Sequence, residues 1–140
     1  MKTKDILVSI IGLDEPGIVA ATAETLTRLG CNIEQMTQTT LRDQFTAGEP
    51  FIVSIWGHDR NDIIATFARI FAEQRINVEG LKAFRIEDDQ SLQVFEVVIP
   101  EQVDTRSLHR IMGERAKRMG LRLSMQHAAI FEAIHRVRVV

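Results

Sequence analysis

Apolar and polar positions along this chain follow two rhythms, one of strands and one of helices, and the rhythms take turns. Residues 6–11 form an apolar run broken only by Ser9, as expected of a strand buried on both faces or nearly so. Gly12, Leu13, Asp14, Glu15, Pro16 and Gly17 are turn chemistry, with Pro16 placed where a missing N–H costs a helix nothing. Ile18, Thr22, Leu26 and Leu29 then recur at helical spacing, and Gly30 is a natural stop. Residues 32–40 alternate again and predict a half-buried, β-branched strand. After a polar linker over 42–50, the pattern predicts a strand at 51–56, a turn at 57–61, a helix over about 62–75 and a strand at 77–86. A polar turn at 87–90 leads to a strand at 91–99. A helix capped by Asp104 or Thr105 follows, running to about 119 with Leu108, Ile111, Met112 and Met119 inward. A last strand spans 121–126. Ile130, Phe131, Ile134 and Val137 predict a short docking helix over 127–137.

Part of this pattern occurs twice. Residues 7–36 align without gaps on 52–81 at a constant offset of 45, with ten of thirty positions identical. Unrelated stretches of ordinary composition would share about two. The shared positions include Gly12/Gly57, Asp14/Asp59, Ile18/Ile63, Asn32/Asn77 and Glu34/Glu79. Each copy reads as strand, tight polar turn, helix, strand.

Three successive βαβ units result, and the fold class is α+β. Two such units joined by a hairpin make a ferredoxin-like βαββαβ sandwich, with an antiparallel or mixed sheet and helices on one face. Three units make one and a half. The tight turn at 87–90 favours residues 46–140 as the complete domain with its tail helix, and residues 1–45 as an extra N-terminal βαβ half-domain. A half-domain leaves a strand edge to be met by a partner strand or surface, so a homodimer or higher homo-oligomer is expected.

Composition narrows the class. With 45% hydrophobic and 26% charged residues over 140 positions, the chain reads as a soluble globular protein. No apolar run approaches the roughly 20 residues that span a bilayer. The apolar start is ended by Asp14, Glu15 and Pro16 with no small-residue cleavage site, so it is read as a strand and not a leader. Cys31 is the single cysteine, which fits a cytoplasmic location. The net charge of −2 divides into +5 over residues 104–140, from eight Lys/Arg and three Asp/Glu, and −7 elsewhere. Arg106, Arg110, Glu114 and Lys117 share one face of an amphipathic helix, which is the look of a solvated face. Direct nucleic-acid recognition is not expected.

The chemistry-bearing residues lie in the first turn and at Asn32. A glycine-bearing turn feeding a helix presents unpaired N–H groups and a positive dipole end, which suits a carboxylate. Asn32 is expected to open a strand parallel to and beside the first, so that its amide reaches the same end of the sheet. Carboxylate on the turn and amine on Asn32 or Asp14 would describe an α-amino acid. The same spacing also suits a helix cap at Asp14 and a turn at Asn32. The histidines at 58, 109, 127 and 135 lack metal-ligand spacing, Cys31 lacks a nearby base, and no dinucleotide or P-loop glycine pattern occurs. No enzyme, metal or cofactor is expected.

The stretch DEPGIVAATAETLTRLGCNIEQM resembles the opening of an ACT domain, a small amino-acid-sensing module of ferredoxin-like fold. The signature residues Asp14, Pro16, Gly17, Ile18, Val19, Asn32 and Ile33 match, with Glu15 where arginine is usual. Gln38-Thr39-Thr40 is similar to a segment of single-ACT proteins and of tandem glycine-cleavage-type regulators. The run from Ser124 to Val137 resembles the tail of small ACT proteins and a segment joining the ACT region of some phosphoserine phosphatases to their catalytic domain. The second copy keeps Asp59, Arg60, Ile63, Asn77 and Val78 but has Asn61-Asp62 in place of Pro-Gly. The resemblance implies a regulatory, amino-acid-binding protein acting through ligand-dependent contacts between copies or with a regulated partner. Ligand in such proteins sits between the turn of one domain and the second strand of another. Gly12, Leu13, Asp14, Glu15, Pro16, Gly17, Ile18, Asn32 and Ile33 would then form the site, and His58, Asp59, Arg60 and Asn77 a second one. A ligand-free structural adaptor and a transcriptional co-regulator acting through a partner are the alternatives.

Overall fold

The computed structural model describes residues 4–11, 17–33, 36–39, 48–86 and 89–131, and of residues 37–39 the backbone. Eight elements follow in order: α1 (Ile18–Arg28), β1 (Met36–Thr39), β2 (Glu49–His58), α2 (Ile63–Glu73), β3 (Asn77–Ile86), β4 (Gln90–Ile99), α3 (Thr105–Arg118) and β5 (Leu121–His127). The strands form one antiparallel sheet in the order β1-β3-β4-β2-β5. The four strands β5-β2-β4-β3 with α2 and α3 make the ferredoxin-like βαββαβ arrangement. β1 adds a fifth strand at the β3 edge, and α1 packs on α2.

Strand alternation places the core. Val53 and Ile55 of β2, Phe95, Val97 and Ile99 of β4, and Leu81 and Ala83 of β3 are buried on the helix side. Phe67 and Phe71 of α2 and Leu108, Met112 and Ala116 of α3 close over them, with Phe71 and Phe95 tilted at 5.3 Å between ring centres. Ala116, not Ile111, completes the inward stripe of α3; Ile111 is exposed. Asp104 caps α3 by accepting from the Arg106 N–H at 3.0 Å and from the Ser107 hydroxyl at 3.0 Å. These bonds, the hydroxyl first, hold its carboxyl below the usual range.

At the N-terminal side one expectation fails and another is met in part. Residues 6–11 join no strand and are exposed, with Leu7 97% and Ile11 98% accessible. The equivalent residues 51–56 lie in β2, which has antiparallel neighbours on both sides, whereas the described chain supplies none for 6–11. The strand read from 32–40 is described as Met36–Thr39, and Cys31–Ile33 lies outside the ladder. At the other end, residues 128–131 turn helical, opened by the Ala129 N–H donating to His127 Nδ1 at 3.1 Å. The remainder of the expected tail helix lies outside the described residues.

The offset of 45 extends to all three helices. They end at Arg28, Glu73 and Arg118, and two residues on the backbone turns left-handed at Gly30 (φ 75°), Arg75 (φ 56°) and Gly120 (φ 71°). Both of the first two ends close with the same pair of bonds, Gly30 N–H to the Thr27 carbonyl and Cys31 N–H to that of Leu26, matched by Arg75 to Ala72 and Ile76 to Phe71. Arg75 carries a Cβ where the other two ends have glycine, and left-handed backbone costs an L-residue roughly 1–2 kcal/mol. Arg75→Gly is expected to raise unfolding stability by about 1 kcal/mol in urea titration.

Candidate functional site

The first and second units face each other about a pseudo-twofold axis. β1 runs antiparallel to β3 with Thr37 opposite Lys82, two positions 45 residues apart and therefore equivalent in the repeat. On the helix layer, Arg69 grips Glu24 with two hydrogen bonds of 2.8 Å, again across an interval of 45. That bidentate bond pulls the Glu24 carboxyl below its usual range and raises the Arg69 guanidinium. The pair is partly exposed, so its role is to fix register more than to stabilise. Small residues at Ala20, Ala23, Ala65 and Ala68 are buried, which lets the two helices approach closely.

The axis decides which predicted residues meet. α1 runs antiparallel to α2, so its start lies at the end of α2: a Cβ built on Gly17 would stand 3.7 Å from Ala72 Cβ. The end of α1 lies at the start of α2, where the Thr27 hydroxyl donates to the Asn61 carbonyl at 3.0 Å. Gly17 and Ile18 are therefore at the end of the molecule where Asn77 opens β3. Asn32 and Ile33, which follow α1, are at the end that carries the second turn with His58, Asp59 and Arg60.

This corrects the expected pairing of Asn32 with its own turn. Within the second unit, Asn77 aligns through Val98 of β4 with Pro50 at the start of β2, while His58 at the end of β2 aligns through Gln90 with Ile86. Turn and asparagine of one unit thus lie about 30 Å apart, nine residues of strand. β4 also lies between β2 and β3, so the two parallel strands of a unit are not adjacent. Gly17 at the start of α1 thus lies toward the end of the sheet where β3 begins, and the end of α1 lies at the second turn.

The two ends differ in chemistry. Gly12, Leu13, Asp14, Glu15 and Pro16 lie outside the described residues. Gly17 stands before α1 with φ +98° and has no side chain with which to cap that helix start, and the first helical turn holds no acidic residue. Near this end, the half-buried Asn77 donates its side-chain N–H to Glu79 Oε1 at 3.1 Å. At the other end, Arg60 is held bidentately by Asp62 at 2.8 Å, and Arg85 donates to Asp59 at 2.7 Å. Asp62 is the counterpart of Gly17. Its carboxylate is drawn to Arg60 and makes no cap to α2. Asn32 is exposed and Ile33 packs against the core. Gly57, the counterpart of Gly12, has φ +151°, and a Cβ there would meet Leu121 Cδ2 at 2.9 Å, so the close passage of β5 requires glycine. His127 is structural, bonded to Glu49 at 2.6 Å and edge-on to Phe51. Among the described residues no group of three His, Cys, Asp or Glu could hold a metal ion, and no helix is long and apolar enough to cross a membrane.

The sequence profile of the ACT domain matches residues 4–48 and again 49–126. The chain belongs to the ACT-domain family. It is an ACT-domain regulatory protein, and a UPF0237 protein of Pyrobaculum aerophilum is 24% identical to it over 86 residues, 61% of this chain and 96% of that one. An ACT domain protein from Streptococcus pneumoniae has a similar fold, with a TM-score of 0.53 at 22% identity, over 61% of this chain and 96% of that one. A protein assigned as a glycine cleavage system transcriptional repressor superposes with a TM-score of 0.55 at 16% identity, over 82% of this chain and 91% of that one. At these identities the structural likenesses speak for the ACT fold alone.

Glu79, which recurs with Glu34 in the repeat, accepts the Asn77 hydrogen bond at the end of the sheet where β3 begins. Gly17→Ala is expected to cost about 1–2 kcal/mol from left-handed backbone alone, since its new methyl would meet Ala72 at ordinary contact distance. A thermal melt that leaves the midpoint unchanged would contradict this geometry at the α1 start.

Proposed function

We propose that this protein is a non-catalytic, cytoplasmic amino-acid sensor whose ligand lies at the end where α1 starts and β3 starts. The observation that carries the reading is the antiparallel α1–α2 packing, with Gly17 against Ala72. It brings the α1 N-terminus, opened by Gly17, to the end of the sheet that holds Asn77 and Glu79. The α-carboxylate would take the N–H groups and dipole at the α1 start. The ammonium would take the Glu79 carboxylate, and Asn77 would orient the polar head. The opposite end is the weaker site, because Asp62 already occupies Arg60 and Arg85 already occupies Asp59. Binding would act by changing contacts between copies of the chain or with a regulated protein.

A thermal-shift screen against the twenty amino acids tests this. One or two small amino acids are expected to raise the midpoint; saturation at a hundredfold over Kd corresponds to about 2.7 kcal/mol. Asn77→Ala is expected to remove the shift and Asn32→Ala to leave it. No shift with any amino acid in a folded sample would overturn the sensor reading in favour of a ligand-free adaptor.

A further inference from the structure

His127 stands at the junction of the sandwich and the tail. It is the last ladder residue of β5, opposite Phe51 of β2, and the chain turns helical at the next residue. Both of its ring nitrogens are used. Nε2 lies 2.6 Å from Glu49 Oε2, and Nδ1 accepts from the Ala129 N–H at 3.1 Å. Phe51 packs edge-on against the imidazole, 5.4 Å between ring centres.

These contacts decide where the proton is. A backbone N–H only donates, so Nδ1, which faces it, carries the lone pair. The single proton of the neutral ring is then on Nε2, where it is donated to the Glu49 carboxylate. One ring thus caps a helix on one side and ties two strand ends together on the other.

Asp104 makes the same kind of cap with a different acid. Its carboxylate accepts from the N–H two residues on, that of Arg106, as His127 accepts from Ala129. Bonds from Ser107 and Arg106 hold the Asp104 carboxyl below its usual range, so it stays an acceptor in mild acid. A histidine cap does not. Imidazole takes up a second proton between about pH 8 and 5, and here that proton goes to Nδ1, the capping nitrogen. An Nδ1–H then points at the Ala129 N–H, and a positive ring stands at a helix N-terminus, where the dipole opposes it. The Glu49 bond is kept, because Nε2–H donates in both states and the ring gains a charge opposite to the carboxylate.

The surroundings leave this change to the imidazole. From β2 the ring meets Glu49 and the apolar Phe51. Helix α3 packs on β5 with Leu108, Met112 and Ala116 buried, while Arg106, His109, Arg110 and Glu114 are exposed. The described tail, residues 128–131, holds two alanines, Ile130 and Phe131. Charged and titratable residues resume in the sequence at Glu132, His135, Arg136 and Arg138. With 31% of its side chain exposed, His127 exchanges protons with solvent.

We propose that His127 is a proton-operated cap: neutral, it holds the first turn of the tail on the end of β5; protonated, it releases that turn while keeping its bond to Glu49. The tail then leaves the sandwich in two ways, by a fixed turn when the ring is neutral and by a freed one when it is charged. The device does not depend on the amino-acid reading and would work equally in a ligand-free adaptor.

Nuclear magnetic resonance on the full chain tests this. Nitrogen-15 shifts of the neutral ring should place its proton on Nε2. As the His127 ring shifts report protonation, the Cα shifts of 128–131 should lose helical character. The Ala129 amide, corrected for intrinsic exchange, should lose protection about fivefold, the effect of a missing N-cap. The start of α3 at Asp104 should not change. His127→Asn, whose Oδ1 accepts from the same N–H without titrating, should keep the tail's first turn at both pH values. A neutral ring protonated at Nδ1, or 128–131 shifts that do not move with the His127 titration, would overturn the proposal. So would a His127→Asn tail lost at the same pH as the unaltered one, because another group, such as His135, would then be the switch. If His127→Asn does not fold, the two measurements on the unaltered chain decide.

Discussion

The pairing of β1 with β3, locked by Glu24 and Arg69 one layer above, sets the rest of the molecule. Four residue pairs in the sheet, Met36↔Ala83 to Thr39↔Gly80, fix the direction of the first unit against the second. Because Thr37 faces Lys82 and Glu24 faces Arg69, equivalent positions of the repeat meet, and the units must be related by a twofold. A parallel docking would have put the two turns side by side. The antiparallel one sets the start of α1 beside the end of α2, and the end of α1 beside the start of α2.

The same constraint explains why the two copies have diverged. Once turn and partner strand belong to different units, each end of the molecule is free to change. At the start of α2, Asp62 turns to Arg60 and the turn is closed by its own charges. At the start of α1, Gly17 keeps its left-handed backbone and offers the helix N–H groups no side chain of its own. The third helix keeps the common ending at Gly120 but contributes to the core of the sandwich instead of to a turn site. One repeat has therefore served as a fold element three times, with turns of different chemistry.

Much of the fold was legible in the sequence because the signals were local. Phe67 and Phe71 at helical spacing, Gly30 and Gly120 past helix ends, and Asp104 before α3 each act within a turn or two of their own position. The errors were non-local. The run at 6–11 reads as a buried strand because its composition says so, yet burial needs neighbouring strands that the described part of the chain does not offer it. Sequence gives the order of strands and not their arrangement, so Asn32 reads as a neighbour of its own turn; with β4 between β2 and β3, and with the helix carrying the chain back, the second strand of a unit starts at the far end. Ile111 fits the apolar stripe of α3, but Ala116 takes the inward place, since helix phase drifts over fourteen residues. The repeat places Asp62 where Gly17 stands, but that its carboxylate turns to Arg60 and makes no cap to α2 depends on side-chain geometry.

The most direct test of this account is the pattern of nuclear Overhauser contacts in the labelled chain. Contacts joining Thr37 to Lys82, Gln38 to Leu81 and Gly17 to Ala72 are predicted, because each reports the antiparallel meeting of the two units. Contacts that join residues 36–39 to any strand other than β3, or Gly17 to the start of α2, would contradict the twofold and with it the assignment of the site.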